Sequence, residues 1–337
     1  MRRHIVSLHA ALILSGAAGL IYQSSWTRLL QRVFGVGDLA VATVLATFFL
    51  GLGIGNGIAA RYVSRVTRPG RAYAILEVAI GAYALLSLAI VPGLGAAYGL
   101  LDSTTSFFTL TLVRFVLAAL ALLPPTILMG ATLPVVAEAS KDAAWSRSVT
   151  AFYTSNTLGA VLGAGLAGFV LVPQLGTRAT VITGAVLSFA AAAFVLLVLR
   201  DASKSAAPTP SEPAASAAEE GTGAAGTTPV GLAATLSFLA GMAALGSEVV
   251  WTRILRIIVH GTTPAFAAML VNYLLGIAAG ALAARALTRR VHPAIVLGIS
   301  QTLLVAFTAL AMALVPFLPR IIPVLAHQQD TVPHETW

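Results

Sequence analysis

The sequence predicts an all-α polytopic membrane protein with about nine transmembrane helices. Hydrophobic residues make up 58% of the 337 residues, charged residues make up only 9%, and the mean hydropathy is +0.91. Soluble domains contain about 25% charged residues, so water is not the main solvent of this chain. Apolar stretches of about 18 residues or more recur along the chain, and each can cross a hydrocarbon core of about 30 Å.

The helix and charge patterns predict a topology. The predicted helices cover approximately residues 5–26, 39–61, 72–92, 106–123, 150–172, 178–199, 231–252, 264–287 and 294–318. With the N-terminus in the cytoplasm, thirteen of the twenty basic residues lie on the cytoplasmic side, as the positive-inside rule requires. The net charge of +8 sits in short clusters between apolar stretches, so we expect no nucleic-acid partner. The chain has no cysteine, which excludes disulfides and thiolate metal sites, and its six histidines show no metal-binding spacing.

The composition divides the chain into four parts. Residues 201–229 are rich in Ala, Ser, Pro, Gly and Glu, which predicts a flexible cytoplasmic linker. Residues 1–200 before it are predicted to form a first six-helix membrane repeat. Residues 230–318 are predicted to form the first three helices of a second repeat, and 319–337 form a polar tail. The second half is therefore incomplete, and we expect the sequence to be part of a longer chain.

An internal repeat supports this division. Residues 14–62 align without gaps on 239–287, with fifteen identities in forty-nine positions. The identities include Trp26 with Trp251 and Gly51 with Gly276. Shared tryptophans and glycines are not what apolar composition produces by chance. Six helices precede the second copy, so the two copies are parallel, as in the two halves of major-facilitator transporters.

Four segments resemble the membrane portion of the bacterial spermidine-synthase-like family, in which a major-facilitator-like domain is fused to a polyamine aminopropyltransferase. They are LSGAAGLIYQSSWTRLL at 14–30, FFLGLGIGNGIAARY at 48–62, LPPTILMGATLPVVAE at 123–138 and YTSNTLGAVLGAGLAGF at 153–169. The third is the most specific, because closely spaced prolines are unfavourable in ordinary helices.

The resemblance implies a multi-pass protein of the bacterial inner membrane that anchors or serves a cytosolic aminopropyltransferase. The catalytic domain of that family uses decarboxylated S-adenosylmethionine and putrescine, and this sequence does not contain it. No glycine-rich loop follows a predicted soluble strand. We therefore expect no catalytic residues, no bound cofactor and no aminopropyl transfer by this chain alone.

Ionisable residues inside the membrane are expensive, which makes them candidate functional residues. Glu77, Arg114 and Glu248 fall inside predicted helices. Glu77 is expected about 7 to 8 Å below the cytoplasmic boundary, where it is either hydrated from the loop or binds a cation. Glu248 is expected near the outer end of its helix. We expect Arg114 and Glu248 to pair, because both lie in the outer half of the membrane.

The repeat relates further polar residues. Gln23 corresponds to Glu248, and Glu77 corresponds to Gln301, so each pair holds one carboxylate and one amide at equivalent depth. A pseudosymmetric polar site is one interpretation, and hydrogen bonding between neighbouring helices is the other. Asn156 begins the fifth helix and is a further candidate for this site.

Two other motifs carry structural predictions. Pro124, Pro125 and Pro134 interrupt helical hydrogen bonding, so this segment is predicted either to line a cavity or to form a bent re-entrant turn. Trp26 and Trp251 are predicted to anchor the chain at the membrane interface.

These observations leave three functions open. The first is a membrane domain that anchors or serves a polyamine aminopropyltransferase. The second is a secondary transporter of a small solute, for which a polyamine or another small cation is a candidate, supported by the parallel repeat, the proline-broken helix and the intramembrane charges. The third is a structural membrane scaffold. In each case the lipid bilayer is the main partner.

Overall fold

A computed structural model describes residues 2–35, 38–100, 106–139, 145–205, 230–259 and 262–317. These residues form nine α-helices, linked in places by short 3₁₀ or π segments, and contain no strand. The helices are α1 Arg2–Phe34, α2 Asp38–Tyr62, α3 Pro69–Tyr98, α4 Phe107–Ala139, α5 Trp145–Leu166, α6 Val172–Ser205, α7 Val230–Val259, α8 Thr262–Leu287 and α9 Pro293–Leu314. The predicted all-α class is therefore confirmed, although most helices are longer than the sequence pattern indicated.

Seven segments of the described residues are long and apolar enough to cross a membrane. One of them, Ala151–Leu197, covers both α5 and α6, so these segments include every helix except α1. The apolar stretch of α1 is interrupted by polar residues, including Gln23, Ser24 and Ser25. Because α1 packs against α3, α5 and α6, it nevertheless belongs to the same bundle.

The first six helices pack in a symmetrical pattern. The main contacts join α2 to α4, α1 to α5, α1 to α6, α3 to α4 and α3 to α6. If α1, α2 and α3 are taken to correspond to α4, α5 and α6, the contact of α2 with α4 corresponds to the contact of α5 with α1. The contact of α3 with α4 likewise corresponds to the contact of α6 with α1. The two triplets traverse the bundle in opposite directions, which is the arrangement of an inverted repeat.

Glycines permit the closest of these contacts. A Cβ atom at Gly163 of α5 would overlap the backbone of Ala17 on α1. A Cβ atom at Gly55 of α2 would overlap the backbone of Ile127 on α4. Small residues at helix interfaces let backbones approach closely, so the glycine stripes of α2 and α5 are packing surfaces.

The proline-rich segment forms a continuous helix and not a re-entrant turn. Pro124, Pro125 and Pro134 lie inside the continuous helix α4. A proline lacks the N–H that would bond the carbonyl four residues earlier, so Pro124 frees the carbonyl of Leu120. The hydroxyl of Tyr83 on α3 donates to that carbonyl at 3.1 Å. A neighbouring helix thus replaces the hydrogen bond that Pro124 removes, and the prediction of a re-entrant turn is wrong.

The tryptophan of α1 is a core residue and not an interfacial anchor. Trp26 is fully buried, stacks on Tyr22 with ring centroids 5.1 Å apart, and donates from Nε1 to Ser87 Oγ at 2.9 Å. The interfacial prediction failed because α1 continues to Phe34, two turns beyond its predicted end.

The turn between α5 and α6 depends on one glycine. A π-helical segment, Ala167–Leu171, follows α5, and Gly176 at the start of α6 has a φ of 77°. Glycine adopts this left-handed conformation without a steric penalty. Residues 201–205, predicted to begin the linker, continue α6 as helix. The rest of the predicted linker (206–229) and the predicted polar tail (319–337) lie outside the described residues.

The remaining three helices extend from the six-helix bundle. α7 packs against α8 and α2, and α8 packs against α5, whereas α9 is exposed along most of its length. α1 ends at Phe34 and α7 ends at Val259, 225 residues later, while α3 begins at Pro69 and α9 begins at Pro293, 224 residues later. These spacings agree with the repeat read from the sequence.

Candidate functional site

Gln23 and Glu248 occupy equivalent, deep positions in two helices. Each lies 11 residues before the last residue of its helix, Phe34 in α1 and Val259 in α7. At 1.5 Å per residue this is about 16 Å along the helix axis. The prediction that Glu248 lies near the outer end of α7 is therefore wrong, because α7 extends seven residues past the predicted end at 252.

Both helices carry buried polar atoms without hydrogen-bond partners at this depth. On α1 these are Gln23 Nε2, Ser24 Oγ and Ser25 Oγ. On α7 they are Glu248 Oε1 and Thr252 Oγ1, which share one helix face because they are four residues apart. All five residues are at most 5% exposed. Buried polar groups are almost always hydrogen-bonded, so five unpartnered atoms at corresponding positions of two helices indicate a place for a bound ligand or water.

These residues border the contact between the six-helix bundle and the later helices. We call this contact the seam, formed where α1, α2 and α5 meet α7 and α8. One apolar cluster fills it, contributed by all five helices. Leu20 belongs to this cluster and lies one turn before Ser24, and Val249 belongs to it next to Glu248. The unpartnered polar atoms are therefore at the edge of the seam.

Two tyrosines extend the polar part of the seam. Tyr273 of α8 lies within electrostatic range of both Glu248 and Tyr153 of α5. Tyr273 is 38% exposed and Tyr153 is 46% exposed, whereas Glu248 itself is buried. Sequence reasoning did not select either ring for the site. The available signal was the repeat, since Tyr273 occupies the position of Phe48 and adds a hydroxyl there.

Glu248 has no compensating cation in the described part of the chain. Its Oε1 atom accepts no hydrogen bond, and no ion pair involves its carboxylate there. Arg114, its expected partner, instead donates from Nε to the hydroxyl of Tyr98 at 2.8 Å and lies over that ring at 5.7 Å. The expected Arg114–Glu248 pair is therefore wrong. α3 extends to Tyr98 and brings a nearer acceptor to Arg114.

Glu77 lies in a different place, inside the six-helix bundle. It is 1% exposed, and Ser15 Oγ on α1 donates to its Oε1 at 2.5 Å. The interpretation of Glu77 as a carboxylate hydrated from the loop is wrong, because α3 begins at Pro69 and places Glu77 about 12 Å along the helix. Its repeat partner Gln301 is exposed on α9. Asn156 is half-buried, and its backbone contacts Gly16 on α1. The structure does not join Glu77, Gln301 and Asn156 into one polar site.

The arrangement at the seam suits binding of a cation. A buried carboxylate and neighbouring hydroxyls can accept hydrogen bonds from an ammonium group, and aromatic faces attract cations. The described residues contain no group of three or more His, Cys, Asp or Glu side chains placed to hold a metal ion.

Comparison with known proteins identifies the family. The family model described as Major Facilitator Superfamily matches residues 8–326. The chain belongs to the major facilitator superfamily. No curated protein and no solved structure matches the chain.

Membership of the major facilitator superfamily agrees with the predicted fold and with a multi-pass location in a membrane. In this superfamily the two halves are parallel repeats, and the substrate lies near the bilayer midplane between them. Gln23 on α1 and Glu248 on α7 border the seam, whereas Arg114 on α4 is held by Tyr98 on α3. The matching family model names no aminopropyltransferase, so the finer resemblance remains a hypothesis.

Proposed function

We propose that this major facilitator superfamily protein binds and transports a small organic cation, and that Glu248 at the seam holds its positive charge. The observation that carries this proposal is the buried carboxylate of Glu248, which has neither a hydrogen bond at Oε1 nor an ion pair within the described residues. Leaving a buried carboxylate uncompensated costs several kcal/mol. A cationic solute would supply the missing charge and the missing hydrogen bond together.

The neighbours of Glu248 support an organic cation rather than a metal ion. Tyr273 is a partly exposed aromatic ring within electrostatic range of this carboxylate, and Tyr153 lies within the same range of Tyr273. Rings attract ammonium groups through their negative faces, which metal ions seldom exploit in proteins. Thr252, one turn from Glu248 on the same helix face, adds a buried and unpartnered hydroxyl. This hydroxyl and the carboxylate can both accept hydrogen bonds from one ammonium group.

Binding can be tested with putrescine and its uncharged analogue 1,4-butanediol. We expect putrescine to raise the melting temperature of the purified chain in detergent, because a ligand stabilises the state that binds it. Butanediol should have no effect, since it lacks the charge. Glu248→Gln should weaken putrescine binding by about 10- to 100-fold, because a hydrogen bond to a charged group contributes about 1.5 to 3 kcal/mol.

The matched control is Glu77→Gln, which removes the other buried carboxylate but lies away from the seam. Equal putrescine affinity in the wild type and in Glu248→Gln would remove the proposal. Transport is tested separately by uptake of labelled putrescine into liposomes that contain the chain.

The four sequence segments favour a second candidate, a membrane domain that serves a polyamine aminopropyltransferase. Both candidates expect a polyamine at the seam, but they differ in what the chain does alone. Putrescine uptake into liposomes supports a transporter. Binding without uptake, together with increased spermidine synthesis when a separate aminopropyltransferase is added, supports the membrane domain of a synthase.

We propose two further features of organisation. The first is that α1–α3 superpose on α7–α9 by rotation about an axis near the membrane normal, supported by the matching helix spacings. The second is a cytoplasmic N-terminus in a bacterial inner membrane, supported by the charge distribution. Residues 1–200 and 230–318 are then the two repeats and 201–229 joins them.

A further inference from the structure

The second buried carboxylate, Glu77, lies among hydroxyl groups where α1, α3 and α6 meet. Ser15 Oγ on α1 donates to Glu77 Oε1 at 2.5 Å. The hydroxyls of Tyr73 on α3 and Ser188 on α6 lie beside this carboxyl group, but Tyr73 donates to the carbonyl of Ala11 at 3.3 Å and Ser188 accepts from Tyr22 at 3.2 Å. All three packed helices therefore contribute an oxygen to one small cluster, and Glu77 is its only ionisable acid within the described residues.

The charged and titratable groups around Glu77 provide no positive charge. The titratable side chains facing it are Tyr22 on α1 and Tyr73 on α3. No ion pair involves Glu77 in the described residues. α4 also packs against α3, but its Arg114 is bound to Tyr98, which is 21 residues beyond Glu77 and so about 31 Å away along α3.

An isolated carboxylate in this position would be unfavourable. One hydrogen bond from Ser15 recovers only part of that cost. A neutral carboxylic acid avoids the penalty, and so does a bound cation. Glu77 therefore needs a positively charged partner, which is either a proton or a metal cation.

The local backbone favours a proton over a metal cation. Transporter sites for sodium use backbone carbonyls freed where helices unwind. α1 and α3 are regular at Ser15 and Glu77, and the non-helical residue of α6 is Gly176, twelve residues before Ser188. The backbone carbonyls are thus engaged within the helices. One carboxyl group and a few hydroxyls can bind a proton but give few oxygens for a metal ion.

We propose that Glu77 is a proton-binding site inside the six-helix bundle, separate from the seam, with Ser15 as its hydrogen-bonding partner. The proton binds to a carboxylate oxygen to give the neutral acid, and it leaves to the solvent when the acid ionises. Because Ser15 lies on α1 two turns before Gln23, the proton changes a contact of the helix that also borders the seam. Proton binding itself does not depend on the proposed transport of an organic cation.

Infrared difference spectra between mildly acidic and mildly alkaline buffer test this assignment on the purified chain. We expect a carbonyl band of a protonated carboxylic acid that is lost in Glu77→Gln. The band should remain in Glu248→Gln, which removes the other buried carboxyl group of the described helices. An unchanged band in Glu77→Gln would overturn the proposal.

Ser15→Ala keeps the test decisive if Glu77→Gln does not fold. This variant retains the carboxyl group and removes one hydrogen bond to it, so the band should move to higher frequency. A band at the wild-type frequency would show that Ser15 does not contact the group and would overturn its assigned role. Added sodium ions at constant pH should leave the band unchanged, and loss of the band with sodium would assign the site to a metal cation instead.

Discussion

A single methyl group added to α2 at two nearby glycines should change stability in opposite directions. A Cβ atom at Gly53 would meet nothing within 4 Å. A Cβ atom at Gly55, two residues later, would lie 2.7 Å from the carbonyl carbon of Ile127 and closer still to its oxygen. Substitution by alanine at these two positions therefore compares a Cβ atom in open space with a Cβ atom against backbone, on the same helix.

The magnitude follows from the geometry. Moving the Ile127 carbonyl carbon from 2.7 Å to an ordinary contact of 3.4 Å separates α2 from α4 by at least about 0.7 Å at that point, and the closer carbonyl oxygen requires more. The obstacle is backbone, so no side-chain rotation can relieve it. A gap of about 0.5 to 1 Å removes a quarter to a half of the dispersion energy of each contact that it opens. Overpacking of this kind costs about 1 to 3 kcal/mol.

Alanine is favoured over glycine in a helix by about 0.5 to 1 kcal/mol, and this gain is common to both variants. We therefore expect Gly53→Ala to be slightly more stable than the wild type. Gly55→Ala should have a free energy of unfolding about 1 to 3 kcal/mol below that of Gly53→Ala. The assay is denaturant unfolding of the three proteins in one detergent.

Equal stability of the two variants, or greater stability of Gly55→Ala, would refute the packing argument. A second pair extends the test to the equivalent contact between α1 and α5. Gly163→Ala would place its Cβ against the backbone of Ala17, whereas Gly19→Ala on α1 meets open space. The same order of stability is expected there, because the two contacts correspond in the inverted packing of the six helices.

Three further outcomes are expected. Tyr83→Phe should lower the free energy of unfolding by about 1 to 3 kcal/mol, because the carbonyl of Leu120 loses its donor, and unchanged denaturant unfolding would contradict this. Arg114→Leu and Tyr98→Phe should show a coupling energy in a double-mutant cycle, because both substitutions remove the same hydrogen bond. The effects of Arg114→Leu and Glu248→Leu on the free energy of unfolding should instead be additive. The chain has no cysteine, so Ser216→Cys gives a single thiol, which should react with a membrane-impermeant maleimide only after cells are opened; labelling of intact cells would reverse the topology.

The sequence by itself determined how many helices form in the described residues and which polar residues lie within them. Length and apolarity of a stretch are local properties, and a spanning helix satisfies its own backbone hydrogen bonds, so nine helices could be read without knowing their neighbours. The repeat likewise predicted that Gln23 and Glu248 lie at equivalent depths. In the structure both residues lie the same number of residues before the ends of their helices.

Helix ends were less predictable, because polar residues near the interface continue a helix as readily as they end it. α1 therefore continues past Trp26 to Phe34, and Trp26 is buried. The prolines of α4 were misread for a related reason. Sequence reasoning counted the hydrogen bond that Pro124 removes, but the replacement donor is Tyr83, which belongs to another helix.

Only the tertiary structure decided which face of each helix is buried. In water, an apolar stripe marks the core, but in a membrane both the lipid-facing side and the packed side of a helix are apolar, so hydropathy does not distinguish them. Glu77 could thus be read as hydrated until α1 and α6 were seen to enclose it, and Arg114 could be assigned to Glu248 until Tyr98 was found beside it. Partner choice among intramembrane polar groups depends on helix rotation, which is set by side-chain packing between helices distant in sequence.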